Sequence, residues 1–154
     1  MGFQESEAEE LVQDTFAAFL QAIERFEERS TLKSFLFGIL YHKAQQMWRR
    51  QSRQEPVENI DEIFESWYDP AGAWKGTPDA PEALIETNQF WDVFDRCADR
   101  LALSQRTAFY LKEVQREPTE SVCKIMDISV THLGVLLYRA RNRLRECMKK
   151  GLER

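Results

Sequence analysis

The chain has 154 residues, 43% hydrophobic and 31% charged, with six glycines, a composition that fits one or two small helical domains and excludes a disordered tail. No apolar run reaches membrane-spanning length, and the opening MGFQESEAEE has no signal-peptide character, so a cytoplasmic protein without membrane insertion is expected. Two histidines, scattered acids and three cysteines far apart and odd in number give no catalytic set, no zinc spacing and no disulfide framework; neither enzyme activity nor a metal or other cofactor is expected.

The net charge of -5 is unevenly spread. Residues 1–28 hold eight acids and one base, residues 29–54 six bases and no acid, residues 55–95 eleven acids and one base, and residues 96–154 thirteen bases and seven acids. Two basic parts are therefore separated by an acidic middle, and the distribution says more than the sum.

In chain order, SEAEELVQDTFAAFLQAIERF reads as a helix capped by Ser6. Its apolar stripe is Leu11, Thr15, Ala18, Ala22 and Phe26, widened by Phe16, Phe19, Leu20 and Ile23. After a break, LKSFLFGILYHKAQQMWRRQ is a second helix capped by Ser30 or Thr31, packing through Leu36, Ile39, Leu40 and Met47 with Lys43 snorkelling from the same face. Two helices make a thin core, so they are expected to pack on further helices or on the rest of the chain.

Residues 53–82, with four prolines, two glycines and an acidic background, read as a linker. Its aromatics Phe64, Trp67, Tyr68 and Trp74 are expected to dock on a neighbouring helix or bind a partner, and the acidic middle to fold back on the basic parts. EALIETNQFWDVFDRCADRL follows with a stripe at Leu84, Trp91, Phe94 and Ala98, then LSQRTAFYLKEV capped by Ser104. PTESVCKIMD places Pro118 near a helix start, where its missing N–H costs little.

A short turn then leads into ISVTHLGVLLYRARNRLRE. Leu133, Leu137, Ala140, Leu144 and Met148 form a buried stripe, and Ser129 is placed to cap it. Arg139 and Arg143 lie on one flank, Arg141 and Arg145 on the other, because steps of two nearly reverse direction at about 100° per residue. Such flanks suit either a solvated helix face or phosphates on both sides. A short helix, a turn at Asp127 and a longer basic-flanked helix make a helix-turn-helix pattern, whose second helix presents its N-terminal residues to base edges.

Three segments taken together, AEELVQDTF, RFEERSTLKSFLFGILYHKAQQMWRR and LALSQRTAFYLKEVQREPTESVCKIMDISVTHLGVLLYRARNRLRE, resemble the extracytoplasmic-function (ECF) group of bacterial RNA polymerase sigma factors. The resemblance implies an all-α protein of two small helical domains joined by an acidic linker. The first, residues 1–54, would be a region 2-like domain lacking the family's further upstream helices; residues 55–82 the linker; residues 83–154 a region 4-like helix-turn-helix domain. It implies core polymerase, through its clamp, and promoter DNA as partners, with an anti-sigma factor as a further one.

The same resemblance assigns residues. Glu10, Leu11, Gln13, Asp14 and Phe16 match the helix that docks on the polymerase clamp. Arg29, Ser30, Thr31, Leu32 and Lys33 resemble the loop that captures a flipped base, which needs a pocket and positive charge. Lys43, Arg49, Arg50 and Arg53 match a phosphate-holding helix end, and Ser129, Thr131, His132, Arg139 and Arg141 the contacts to the upstream element. The chain departs from the family at His42 and Gln46, where asparagine and aspartate are common, and at Gly134, Val135 and Leu136, where a polar or basic run is common. A second expectation is an interaction module that binds core polymerase or an anti-sigma factor without melting promoters.

Overall fold

The computed structural model describes residues 3–28, 31–51 and 88–153, and among these every regular element is helical. Helix α1, Glu5–Ala22, starts before the expected cap. Gln4 takes the N-cap position, and its backbone N–H donates to Glu7 Oε2 at 2.8 Å, so the first turn is closed by a reaching carboxylate rather than by Ser6. Leu11 and Thr15 are buried, and the Thr15 hydroxyl donates back to the Leu11 carbonyl at 2.6 Å. Phe19 and, past the turn Ile23–Arg25, Phe26 pack on the Phe35 ring. The stripe is narrower than expected: Phe16, Leu20 and Ile23 remain exposed alongside Val12, so α1 carries an uncovered apolar flank.

Helix α2, Leu32–Arg50, is capped by Thr31, whose hydroxyl accepts from the Ser34 N–H at 3.1 Å. Its best-buried row is Ser34, Tyr41, Ala44 and Met47, whereas Leu36, Ile39 and Leu40 are only half-buried. The row shifts because α2 packs on α1 along one side and on a helix of the second half along the other. Positions between two partners bury more deeply than positions facing one.

The second half begins with α3, Asn88–Ala98, which buries Val93 and Cys97 and leaves Trp91 exposed, so the expected stripe is rotated. Leu84 and the linker aromatics Phe64, Trp67, Tyr68 and Trp74 lie outside the described residues. Helix α4, Leu103–Phe109, is preceded by Ala102 and not capped by Ser104; burial of both Leu101 and Leu103 fixes the register of that turn. A π turn, Tyr110–Val114, extends it, closed by Gln115 N–H donating to the Tyr110 carbonyl. Helices α5, Thr119–Met126, and α6, Val130–Leu152, complete the chain.

The cysteine expectation is corrected here. Cys97 of α3 and Cys147 of α6 form a disulfide, with Cα atoms 5.8 Å apart and 50 residues between them in sequence. Their distance along the chain was no guide, because α3 lies against α6. Cys123 is free and packs against the main core, as a small apolar residue does.

One apolar cluster joins both halves: Leu11, Tyr41, Ala44 and Met47 share it with Leu111, Val122, Met126, Leu133 and Leu137. The first two helices thus gain the core they lack by packing on α5 and its neighbours. A smaller cluster, Val93, Cys97, Leu101, Ala140 and Leu144, holds α3 to α6.

Candidate nucleic-acid interface

The helix-turn-helix is set by three local devices. Asp127 ends α5 in the left-handed conformation, at φ 54° and ψ 53°, a position where aspartate is tolerated better than most side chains. The Ile128 N–H returns to the Cys123 carbonyl at 3.1 Å. Ser129 caps α6, its hydroxyl accepting from the His132 N–H at 3.1 Å.

From that turn α6 presents two surfaces. Leu133, Val135, Leu136, Leu137, Ala140 and Leu144 are buried, so the departures at Val135 and Leu136 are core residues. Val130, Thr131, His132 and Gly134 face outward, and Val130 is 66% exposed. A Cβ on Gly134 would meet nothing within 4 Å, so this side of α6 is open.

The arginine ladder is less free than the alternating pattern suggests. Arg139 is half-buried rather than pointing outward. Arg141 is exposed, and its guanidinium donates to the Glu113 carboxylate on the π turn. Arg143 donates to the Gln105 side-chain oxygen at 3.3 Å. Both flanks of α6 are therefore tied to the α4 unit that it straddles.

In the first half, Thr31 and Leu32 are exposed at the start of α2. Lys33 lies 5.8 Å above the Phe37 ring and 3.0 Å from the carboxylate of Glu117, which belongs to the second half and is buried. Arg49 and Arg50 are exposed on the last turn of α2, and Lys43 is half-buried. His42 and Gln46 hydrogen-bond one another at 3.3 Å. Trp48 packs edge-on against Phe3. Arg29, Ser30 and Arg53 lie outside the described residues. A cleft of about 650 Å³ lies beside the contact of α2 with the helix-turn-helix, and His42 and Arg49 of α2 line it opposite Asp127 and His132.

On α1, Glu10, Gln13, Asp14 and Phe16 form an exposed acidic and apolar patch. Leu11 is 5% exposed and belongs to the core, so its side chain is not part of that surface.

Three residues that sequence reading passed over position this interface. Arg106 is buried; its Nε donates to the Ala98 carbonyl at 2.8 Å and its Nη2 to the Leu101 carbonyl at 3.2 Å. Burial pulls the Arg106 pKa below its ordinary value, and Asp99 opposes that. Glu113 and Glu117 hold Arg141 and Lys33. Nothing in their local sequence marks them, since the partners of Arg106 lie five to eight residues back, across the turn after α3, and those of Glu113 and Glu117 lie in other helices.

Two stretches of the chain match known families. Residues 2–54 match the family model described as Sigma-70 region 2, and residues 91–144 the one described as Sigma-70, region 4. A probable RNA polymerase sigma factor of Haemophilus influenzae is 27% identical over 152 residues, covering 94% of this chain and 78% of its own length. The ECF RNA polymerase sigma-E factor of Escherichia coli K12 is 26% identical over 132 residues, covering 86% and 69%. Among solved structures, the sigma factor RpoE of Bartonella quintana, co-crystallised with the anti-sigma factor NepR, superposes with a TM-score of 0.67 at 25% identity, covering 95% of this chain and 83% of that one.

Proposed function

The chain belongs to the sigma-70 family, in its ECF group, and we propose that it is a dissociable cytoplasmic subunit that directs core RNA polymerase to specific promoters and does no bond chemistry of its own. The observation that carries this reading is the presence, in one chain, of a helix-turn-helix and of a separate capped helix with its own exposed cations. A repressor needs only the first.

In this reading residues 1–54 act as region 2, residues 55–82 as the linker and residues 83–154 as region 4. The exposed patch of Glu10, Gln13, Asp14 and Phe16 meets the polymerase clamp. Arg29, Ser30, Thr31, Leu32 and Lys33 take the flipped base, and Lys43, Arg49, Arg50 and Arg53 hold phosphates of the melted strand. Ser129, Thr131 and His132 approach base edges of the upstream element, and the exposed methyls of Val130 suit a thymine methyl group. Arg139 and Arg141 hold the flanking phosphates. An anti-sigma factor is the expected inhibitor, like that bound to the Bartonella protein.

Run-off transcription with purified core polymerase and genomic fragments tests the reading. Sequence-specific starts are expected; core binding without transcripts would reduce the protein to an interaction module. Arg139→Ala and Arg141→Ala should each weaken binding to all duplexes alike and lower the salt slope by about one. An unchanged slope in a salt titration would leave these arginines as a solvated, structurally paired face.

A further inference from the structure

We infer that Cys97 and Cys147 are a redox modification site of region 4, a reversible dithiol–disulfide pair that clamps α3 to the end of α6. The inference rests on the cytoplasmic reading above, because in an oxidising compartment the same bond would be a permanent structural one.

Three observations carry it. The Cα separation of 5.8 Å lies in the range a disulfide bridges without moving the backbone. The seam around the pair is the smaller of two apolar clusters. It is separate from the main core and joins an eleven-residue helix to α6. The seam is also kept close by Gly151, where an added Cβ would stand 2.5 Å from Val93 Cγ1. A glycine inside a helix costs stability, and here it lets α3 approach near enough for the sulfurs to meet.

The two sulfurs differ in access. Cys147 is half-buried, whereas Cys97 is 3% exposed. A disulfide oxidant such as oxidised glutathione therefore meets Cys147 first. The Cys147 thiolate attacks one glutathione sulfur and releases one glutathione thiolate, leaving a mixed disulfide. The Cys97 thiolate then attacks the Cys147 sulfur and releases the second. The pair loses two electrons and two protons, and the oxidant becomes two thiols. Cys123 packs in the other cluster, away from this seam.

The closed loop has a sequence separation of 50 and contains α5, the turn at Asp127 and α6 as far as Cys147, with every candidate DNA contact of α6. Oxidation thus restricts the unfolded chain of the whole DNA-reading unit, and a loop of that length has a large effect in the chain-entropy account. Oxidised region 4 should outlast reduced region 4 under heat or oxidative stress.

The test uses the full chain equilibrated with mixtures of reduced and oxidised glutathione, its free thiols then counted by mass after alkylation. A two-electron transition inside the range of mixtures is expected, with a melting temperature on the order of 10 °C higher for the oxidised form. Cys97→Ser should abolish both changes and Cys123→Ser neither. Gly151→Val should slow closure several-fold in a stopped-alkylation time course. A pair that stays oxidised in every mixture is structural, and one that stays reduced is no site; either result overturns the inference. So does equal melting of the two forms. None of these measurements uses polymerase, so their failure and a failed run-off experiment are distinguishable.

Discussion

Glu117→Lys should raise affinity for promoter duplex about tenfold or more, although Glu117 touches none of the candidate contacts on α6. The reasoning starts from size. In the proposed function region 2 meets the melted strand near minus ten and region 4 the upstream element near minus thirty-five, roughly 25 base pairs apart, which at about 3.4 Å per pair is about 85 Å of duplex. A compact chain of this length has a radius of gyration of about 15 Å. Here both halves share one apolar core, and the start of α6 shares one cleft with α2. This closed arrangement cannot reach both elements, so promoter binding requires that α2 and α5 part. Lys33 and Glu117 span that seam at 3.0 Å, and the Lys112 ammonium is 3.3 Å from the Glu117 carbonyl. A lysine at position 117 would set a buried ammonium against that of the half-exposed Lys33 in place of the ion pair, costing the closed form about 1.5–3 kcal/mol. Apparent affinity scales with the open fraction, so the gain is tenfold to about a hundredfold until opening is complete. Added positive charge would also help DNA binding. The swap Lys33→Glu with Glu117→Lys keeps the net charge of the parent and restores the pair, and because Lys33 is itself a candidate DNA contact the swap is read against Lys33→Glu alone, which lacks both the contact and the pair. Fluorescence anisotropy on a fragment that supports run-off should show Glu117→Lys tight and the swap no tighter than Lys33→Glu alone. If the swap binds as tightly as Glu117→Lys, the seam is not the gate.

The parts of this molecule that were legible in its sequence are those fixed within a turn or two of chain. The Ser129 cap, the Asp127 turn and the Leu133, Leu137, Ala140, Leu144 stripe follow from short-range rules, and each is found where those rules put it. Thr31 is likewise one of the two caps expected for α2. The errors have a common source in partners supplied from elsewhere. The α2 row moved because two helices press on it, and Trp91 was displaced by Val93 because α3 meets α6 at that angle. The cysteine pair and Lys33–Glu117 join residues far apart in sequence, where no spacing rule applies. For the site, sequence identified the cations but not their restraints. Glu113 and Gln105, which hold two rungs of the arginine ladder, come from 28 and 38 residues upstream.

Arg106→Ala should be the most damaging single substitution in the helix-turn-helix half, more so than the loss of any exposed arginine on α6. Arg106 is 6% exposed, and its guanidinium reaches across a sharp corner to the carbonyls of Ala98 and Leu101, with Nη1 3.8 Å from Asp99. Those carbonyls belong to the end of α3 and the turn after it, where a helix leaves acceptors without intrahelical partners. The fork therefore sets the angle at which α3 leaves α4, and through it the contact of α3 with α6. Truncation removes two charge-assisted hydrogen bonds; the Ala98 carbonyl keeps the Leu101 N–H at 3.1 Å while the Leu101 carbonyl loses its guanidinium donor, a cost of about 3–5 kcal/mol with the lost packing. Against a total of about 5–15 kcal/mol for a domain, that is enough to populate the unfolded state in a warm cell. Arg106→Met restores most of the volume but no donor, and Arg106→Lys restores charge but not the fork. Thermal melting should rank the parent above Arg106→Lys, then Arg106→Met, then Arg106→Ala. Amide exchange at Leu101 and Leu103 should quicken in the same order. If Arg106→Met melts within a degree or two of the parent, the side chain serves by filling space, and the corner is held by the apolar contacts of Leu101 and Leu103 alone.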